Sequence, residues 1–170
     1  MKNTKLITML CLGALIACSP SKKGLEPTSE QVSPRERLIE NLRATPQKGI
    51  MFGHHDDTVY GIGWEFDEGG SDVQKVCGDY PAVISFDLGE IELGGDKSLD
   101  KVPFEKIRKE IINQYNRGGL VSLSWHPRNP KTGGDAWDVS DHAVVKSILP
   151  EGENYEKFQS WLGKVNDFIP

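Results

Sequence analysis

Cysteine is scarce in this sequence, three in 170 residues, which removes a disulfide framework from consideration. Cys11 and Cys18 lie in the N-terminal stretch, so Cys77 has no partner for an internal bridge and reads as a small buried residue of a helix. No apolar run is long. The one from Leu6 to Ala17 is too short to span a bilayer as a stable helix. Positive charge is not in excess either: the net charge is −5, which argues against nucleic acid as a partner. A G-x-G-x-x-G turn and a P-loop are both missing, so a nucleotide-binding sheet loses ground. His-x-His and His-Glu-x-x-His pairs are absent too. The adjacent His54 and His55 point to opposite faces of a regular strand and cannot both aim at one metal ion.

What is present begins with a leader. Lys2 and Lys5 precede the apolar run, which closes on "LIAC". That ending resembles a bacterial lipobox, which implies cleavage before Cys18 and a lipid on that cysteine. An ordinary secretory leader cleaved nearby is the competing reading. Cleavage removes 17 residues, Lys2 and Lys5 among them, and takes the net charge from −5 to −7. Residues 18–33 are polar and without apolar periodicity, as a flexible tether would be. The expected location is the cell envelope, as a lipoprotein on the periplasmic face or at the outer membrane, with Cys18 as the membrane contact.

From residue 34 the pattern changes. "SPRERLIENLRATP" reads as a short helix, with Ser33 and Glu36 forming a capping box and Pro46 stopping it. "GIMFGHHDD" is a short strand, "SDVQKVCG" a turn or two of helix, and "YPAVISFDLGEIE" a second strand. "VPFEKIRKEIINQYNRGG" is a helix whose Phe104, Ile107, Ile111 and Tyr115 share one face. "GLVSLSWHP" is the third strand, and "NYEKFQSWLGKVNDFIP" the last helix. Strands alternating with helices imply a parallel sheet. In strand two, Ala82, Ile84, Phe86 and Leu88 face one way and Val83, Ser85 and Asp87 the other. In strand three, Val121, Leu123 and Trp125 oppose Ser122, Ser124 and His126. One face is apolar, and the other is small and polar and ends in an acid or a histidine. That matches the lumen of a (β/α)₈ barrel, whose functional side chains sit at the C-terminal strand ends. Such a barrel needs at least about 200 residues, so this α/β chain reads as roughly the first three βα units, spanning 34–170.

The polar residues at the strand ends are His54, His55, Asp56 and Asp57; Asp87, Glu90 and Glu92; and His126 and Asn129. Glu90 and Glu92 lie on a loop where acids are usually solvated. As neighbours they poorly fulfil a two-carboxylate mechanism, in which the acids face each other across the bond to be cut. Sugars are held by aromatic faces and planar polar groups, and Trp64, Trp125 and Trp137 sit in or beside these loops. Trp125 is expected to pack under a helix, since its alternation points outward. Trp137 and, less strongly, Trp64 are candidates for stacking on a sugar.

"FGHHDD", "YPAVISFDLGEIE" and above all "SWHPRNP" resemble the opening strands of glycoside hydrolase family 26, (β/α)₈ retaining β-mannanases. The resemblance covers residues 34–170. It implies β-1,4-mannan or galactomannan as the polysaccharide partner and a glycosyl-enzyme intermediate. It also implies that His126 lies beside the cleavage subsite and that Trp137 belongs to the sugar-stacking region. The expected substrate-binding set is His126, Asn129, Trp137, His55 and Asp87, with no cofactor and no metal. The family's acid/base and nucleophile glutamates match no residue here, so this chain by itself is expected to be inactive. A non-catalytic glycan-binding lipoprotein is the alternative, with a metal-dependent hydrolase behind it.

Overall fold

The computed structural model describes residues 32–169; the leader, Cys18 and most of the tether lie outside the described residues. The chain divides into two compact units, residues 1–44 and residues 45–170. In the first, helix α1 (Pro34–Ala44) opens on the expected capping box. The Ser33 hydroxyl donates to Glu36 Oε2 at 2.8 Å and accepts from the Glu36 N–H at 3.2 Å. The Ser33 N–H also donates to that carboxylate at 2.9 Å. This backbone bond first, and the Ser33 hydroxyl second, hold the Glu36 carboxyl below its ordinary value.

The second unit is built on a parallel three-stranded sheet of β1 (Gly53–His55), β4 (Val83–Asp87) and β5 (Leu120–Ser124), in the order β1–β4–β5. Its register pairs His55 with Ser85 on one side of β4 and Asp87 with Ser124 on the other. Between β1 and β4 lie the small antiparallel hairpin β2 (Tyr60–Gly61) and β3 (Trp64–Glu65), then α2 (Asp72–Cys77). Ser71 caps α2 by accepting from the Gln74 N–H, and Gly78 closes it at φ 83°, a left-handed turn suited to glycine. α3 (Phe104–Asn116) links β4 to β5, while α4 (Val144–Ser147) and α5 (Tyr155–Phe168) follow β5.

The alternation read from the sequence sets the core. Ile84, Phe86 and Leu88 are buried with Phe104, Ile107 and Ile111 of α3 and Phe168 of α5, and Val121, Leu123 and Trp125 pack against them. Phe104 meets Phe168 edge to face at 5.8 Å. Burying a side chain such as Phe86 contributes about 2–3 kcal/mol. Two burial expectations are corrected. Tyr115 is 77% exposed, because the buried arc of α3 turns from Ile107 toward Glu110 and Gln114 and leaves Tyr115 outside it. Gln114 Nε2 donates to the Pro81 carbonyl at 2.9 Å, tying α3 to the start of β4. Glu110 is buried beside Lys106 at 3.0 Å. Cys77 is exposed, at the end of a helix of six residues too short to cover its last turn.

Candidate functional site: the C-terminal strand ends

Parallel strands deliver their C-terminal residues to one edge of the sheet, and β4 and β5 deliver Asp87 and His126 there. Asp87 is 3% exposed. It accepts from the Gly89 N–H at 2.6 Å, the Ser124 hydroxyl at 2.7 Å and His126 Nδ1 at 2.5 Å. Burial pushes its carboxyl upward, but the bonds from Ser124, Gly89 and His126 together outweigh it and hold Asp87 below the ordinary carboxylate value. His126 is about half exposed, and the Trp137 ring stacks on it at 5.6 Å with 12° between planes. The structure thus brings His126, Asp87 and Trp137 together from three separate segments.

Trp137 is 64% exposed, and the loop beneath it is well pinned. Asn129, 6% exposed, accepts at Oδ1 from the N–H groups of Lys131 (3.0 Å) and Thr132 (3.1 Å). Its Nδ2 donates to the Asp138 carbonyl at 3.1 Å. Asn129 therefore builds the loop that carries Trp137. Asp138 accepts from Thr132 and from the Ser140 N–H, and Asp135 accepts from the Trp137 N–H. A surface cavity of about 570 Å³ lies further along, lined by Lys131, Lys146, Leu149, Pro150 and Glu153 among others. It has no aromatic wall and lacks the flat platform a sugar ring needs.

At the end of β1, His55 is exposed and its Nε2 lies 3.2 Å from Asp56 Oδ2. Asp56 adopts φ 56°, and the Tyr60 hydroxyl also donates to its Oδ2, at 3.2 Å. Its Oδ1 is buried with no hydrogen-bond partner. Desolvation dominates and pushes Asp56 up to about 6, against the opposing pull of His55 and Tyr60. Asp57 is spent as a cap, accepting from Ser71 and from the Val73 N–H.

The two loop acids and Trp64 settle differently from expectation, whereas Trp125 lies where its alternation put it. Glu92 is not solvated: it is 2% exposed and accepts from Trp125 Nε1 at 2.9 Å and the Arg128 N–H at 2.7 Å. Glu90 pairs with the Arg128 guanidinium at 3.0 Å. Trp125 stacks on Phe158 of α5, the helix-covered position its alternation indicated. Trp64 is a structural residue: its Nε1 donates to Asp72 at 2.7 Å and its ring leaves no room for a Cβ at Gly70. Sequence reasoning passed over Ser124 as a site residue, although the Ser122–Ser124–His126 alternation placed it on the right face. Among the described residues, no group of three or more His, Cys, Asp or Glu side chains is arranged to hold a metal ion.

Parallel strands alternating with helices, with a histidine and an exposed indole beyond their C-terminal ends, match the opening of a (β/α)₈ barrel, the class of fold in which functional side chains sit at that end of the strands. The chain belongs to glycosyl hydrolase family 26, whose family model matches residues 27–169. That match begins inside the stretch read as a tether. A family 26 β-mannanase from Bacteroides ovatus is 62% identical, with a TM-score of 0.75 over 77% of this chain and 38% of its own. A modular endo-β-1,4-mannanase from Cellulomonas fimi is 27% identical, with a TM-score of 0.59 over 71% of this chain and 28% of its own. A mannan endo-1,4-β-mannosidase of Bifidobacterium adolescentis is 30% identical over 75% of this chain, which spans 13% of that relative's length. The chain holds about the first three βα units of the family's (β/α)₈ barrel.

Proposed function

We propose that this chain forms part of the catalytic domain of an endo-β-1,4-mannanase and supplies one wall of its sugar-binding cleft. The observation that carries this reading is the Trp137 ring lying parallel on His126, with His126 anchored at the end of β5 by Asp87. A half-exposed imidazole edge beside an exposed indole offers a polar contact for hydroxyls and an apolar face for a pyranose. The names of its relatives favour mannan as the polysaccharide.

Hydrolysis with retention needs two carboxyl groups flanking the glycosidic bond, about 5–5.5 Å apart. The acids at and just beyond the end of β4 are already engaged: Asp87 by three donors, Glu92 by two and Glu90 by Arg128. These acids therefore hold the strand ends in place, no catalytic carboxylate is assigned to them, and the role proposed for the chain is binding through His126 and Trp137. Electrophoresis of the chain through galactomannan gels tests this, paired with a reducing-sugar assay on mannan. Retardation without sugar release is expected. Unretarded migration would sink the binding role, and sugar release would sink the assignment of binding alone. The leader motif supports a second element of the proposal, that Cys18 carries a lipid and holds the protein at the cell envelope. Cys18→Ser should move it from the membrane fraction to the soluble fraction.

A further inference from the structure

We propose that Asp87 is a positioning residue, which locks His126 in the tautomer protonated on Nδ1 so that Nε2 presents a lone pair to a sugar hydroxyl. The inference rests on the mannan-binding reading for its ligand, but the tautomer itself is independent of it.

The donors around Asp87 decide the matter. Its Oδ1 accepts from the Gly89 N–H, which can only donate. Its Oδ2 accepts from the Ser124 hydroxyl and faces His126 Nδ1 at 2.5 Å. An ionised carboxylate accepts and cannot donate, so the proton between Asp87 and His126 belongs to Nδ1. In the neutral imidazole the other nitrogen is then an acceptor. Trp137 covers a face of the ring, Asp87 occupies the Nδ1 edge, and no described residue bonds Nε2. The imidazole is about half exposed whereas the Asp87 side chain is 3% exposed, so a ligand reaches the histidine and not the acid. Asp87, expected from the sequence to touch substrate, thus acts through His126. A pyranose offers hydroxyl donors, which fit an acceptor nitrogen beside an indole face.

Asp87→Asn is the discriminating substitution. The obligate donor at Gly89 holds the amide oxygen on its side, which turns the amide nitrogen toward Ser124 and His126. That nitrogen donates to Nδ1 and drives the imidazole proton to Nε2. The chain labelled with ¹⁵N-histidine is observed in long-range ¹H–¹⁵N spectra at a pH where the ring is neutral, with His126 assigned by its loss in His126→Gln. The wild type is expected to carry its proton on Nδ1 and Asp87→Asn on Nε2. A wild-type proton on Nε2, an even mixture of the two forms, or an Asn variant that keeps Nδ1–H would each overturn the proposal. The wild-type spectrum needs no variant to fold.

Affinity for a linear manno-oligosaccharide gives the second readout. Asp87→Asn should weaken it by about tenfold, as should His126→Gln, each removing one hydrogen bond's worth of binding. The double substitution should lose no more than either alone. A further loss in the double variant would mean that Asp87 contacts sugar directly, and the positioning role would fall. Absence of any oligosaccharide binding by the wild type would remove the mannan reading while the spectra still judged the tautomer.

Discussion

Trp125 donates its indole N–H to a buried Glu92 carboxylate oxygen at 2.9 Å, and this bond joins the turn after β4 to the end of β5. The other Glu92 oxygen accepts from the Arg128 N–H at 2.7 Å, in the middle of the "HPRNP" turn. Lys164 of α5 reaches the Glu92 carbonyl as well, at 2.5 Å. The Glu92 carboxylate thus ties the turn after β4 to the segment that carries His126, and its main-chain carbonyl adds α5.

Glu92→Ala should accordingly destabilise the chain by about 3 kcal/mol, because it strands an indole N–H and a backbone N–H away from solvent. Glu92→Gln keeps one acceptor oxygen and should lose about half as much. Urea unfolding followed by tryptophan fluorescence measures both. A loss within about 0.5 kcal/mol for the alanine variant, the range of an ordinary surface change, would show that Glu92 does not organise the strand ends.

The two loop tryptophans should separate by phenotype. Trp137→Ala removes an exposed ring and should leave stability within about 0.5 kcal/mol while abolishing most retardation in galactomannan gels. Trp64→Ala removes a hydrogen bond to Asp72 and the packing over Gly70. It should cost about 2 kcal/mol of stability and leave galactomannan affinity intact. Equal effects of both on affinity would place the sugar elsewhere.

These tryptophans also mark where the sequence was legible. Alternation along "AVISFDL" and "LVSLSWH" separates the core residues Ile84, Phe86 and Leu123 from the site residues Asp87, Ser124 and His126, because a strand repeats every two residues whatever surrounds it. Burial within the loops has no such period. Trp64 and Trp137 sit in similar glycine-rich, acidic surroundings, and only tertiary contact decides which meets Asp72 and which meets His126. Glu92 looks like a solvated loop acid until the 3₁₀ turn Ile91–Leu93 brings it under Trp125. Tyr115 fits the helical spacing of α3, yet the buried arc passes it by in favour of Gln114, whose amide finds the Pro81 carbonyl.

Asp56 makes stability depend on pH in a direction opposite to that of most carboxylates. Its folded value, pushed to about 6, lies above its ordinary value of 3.8. The folded state therefore binds the proton more tightly. Below pH 3.8 the group is neutral folded or unfolded and costs nothing; the penalty grows as pH rises and is complete above about 6. Asparagine tolerates the left-handed φ of 56°, so Asp56→Asn removes the charge without straining the turn. Its stability relative to wild type should rise by about 1–3 kcal/mol between pH 4 and pH 7. Urea midpoints at the two pH values decide, and a pH-independent difference between the proteins would refute the assignment.

Gly89 is a tight point of the strand-end arrangement. A Cβ there would lie 2.7 Å from Asp87 Oδ1, 3.0 Å from Leu99 Cβ and 3.3 Å from the His126 carbonyl oxygen. None of these can yield freely: the carboxylate oxygen is held by the Gly89 N–H itself, and the other two are the stem of the half-buried Leu99 side chain and backbone. Gly89→Ala should cost about 1–3 kcal/mol of stability, the usual range for overpacking a filled site. It should also tilt Asp87 away from His126 Nδ1 and reduce manno-oligosaccharide affinity to the level of His126→Gln. Wild-type affinity together with an unchanged unfolding midpoint would mean that Asp87, Gly89 and His126 are not packed as one unit, and the route from β4 to His126 Nε2 would have to be redrawn.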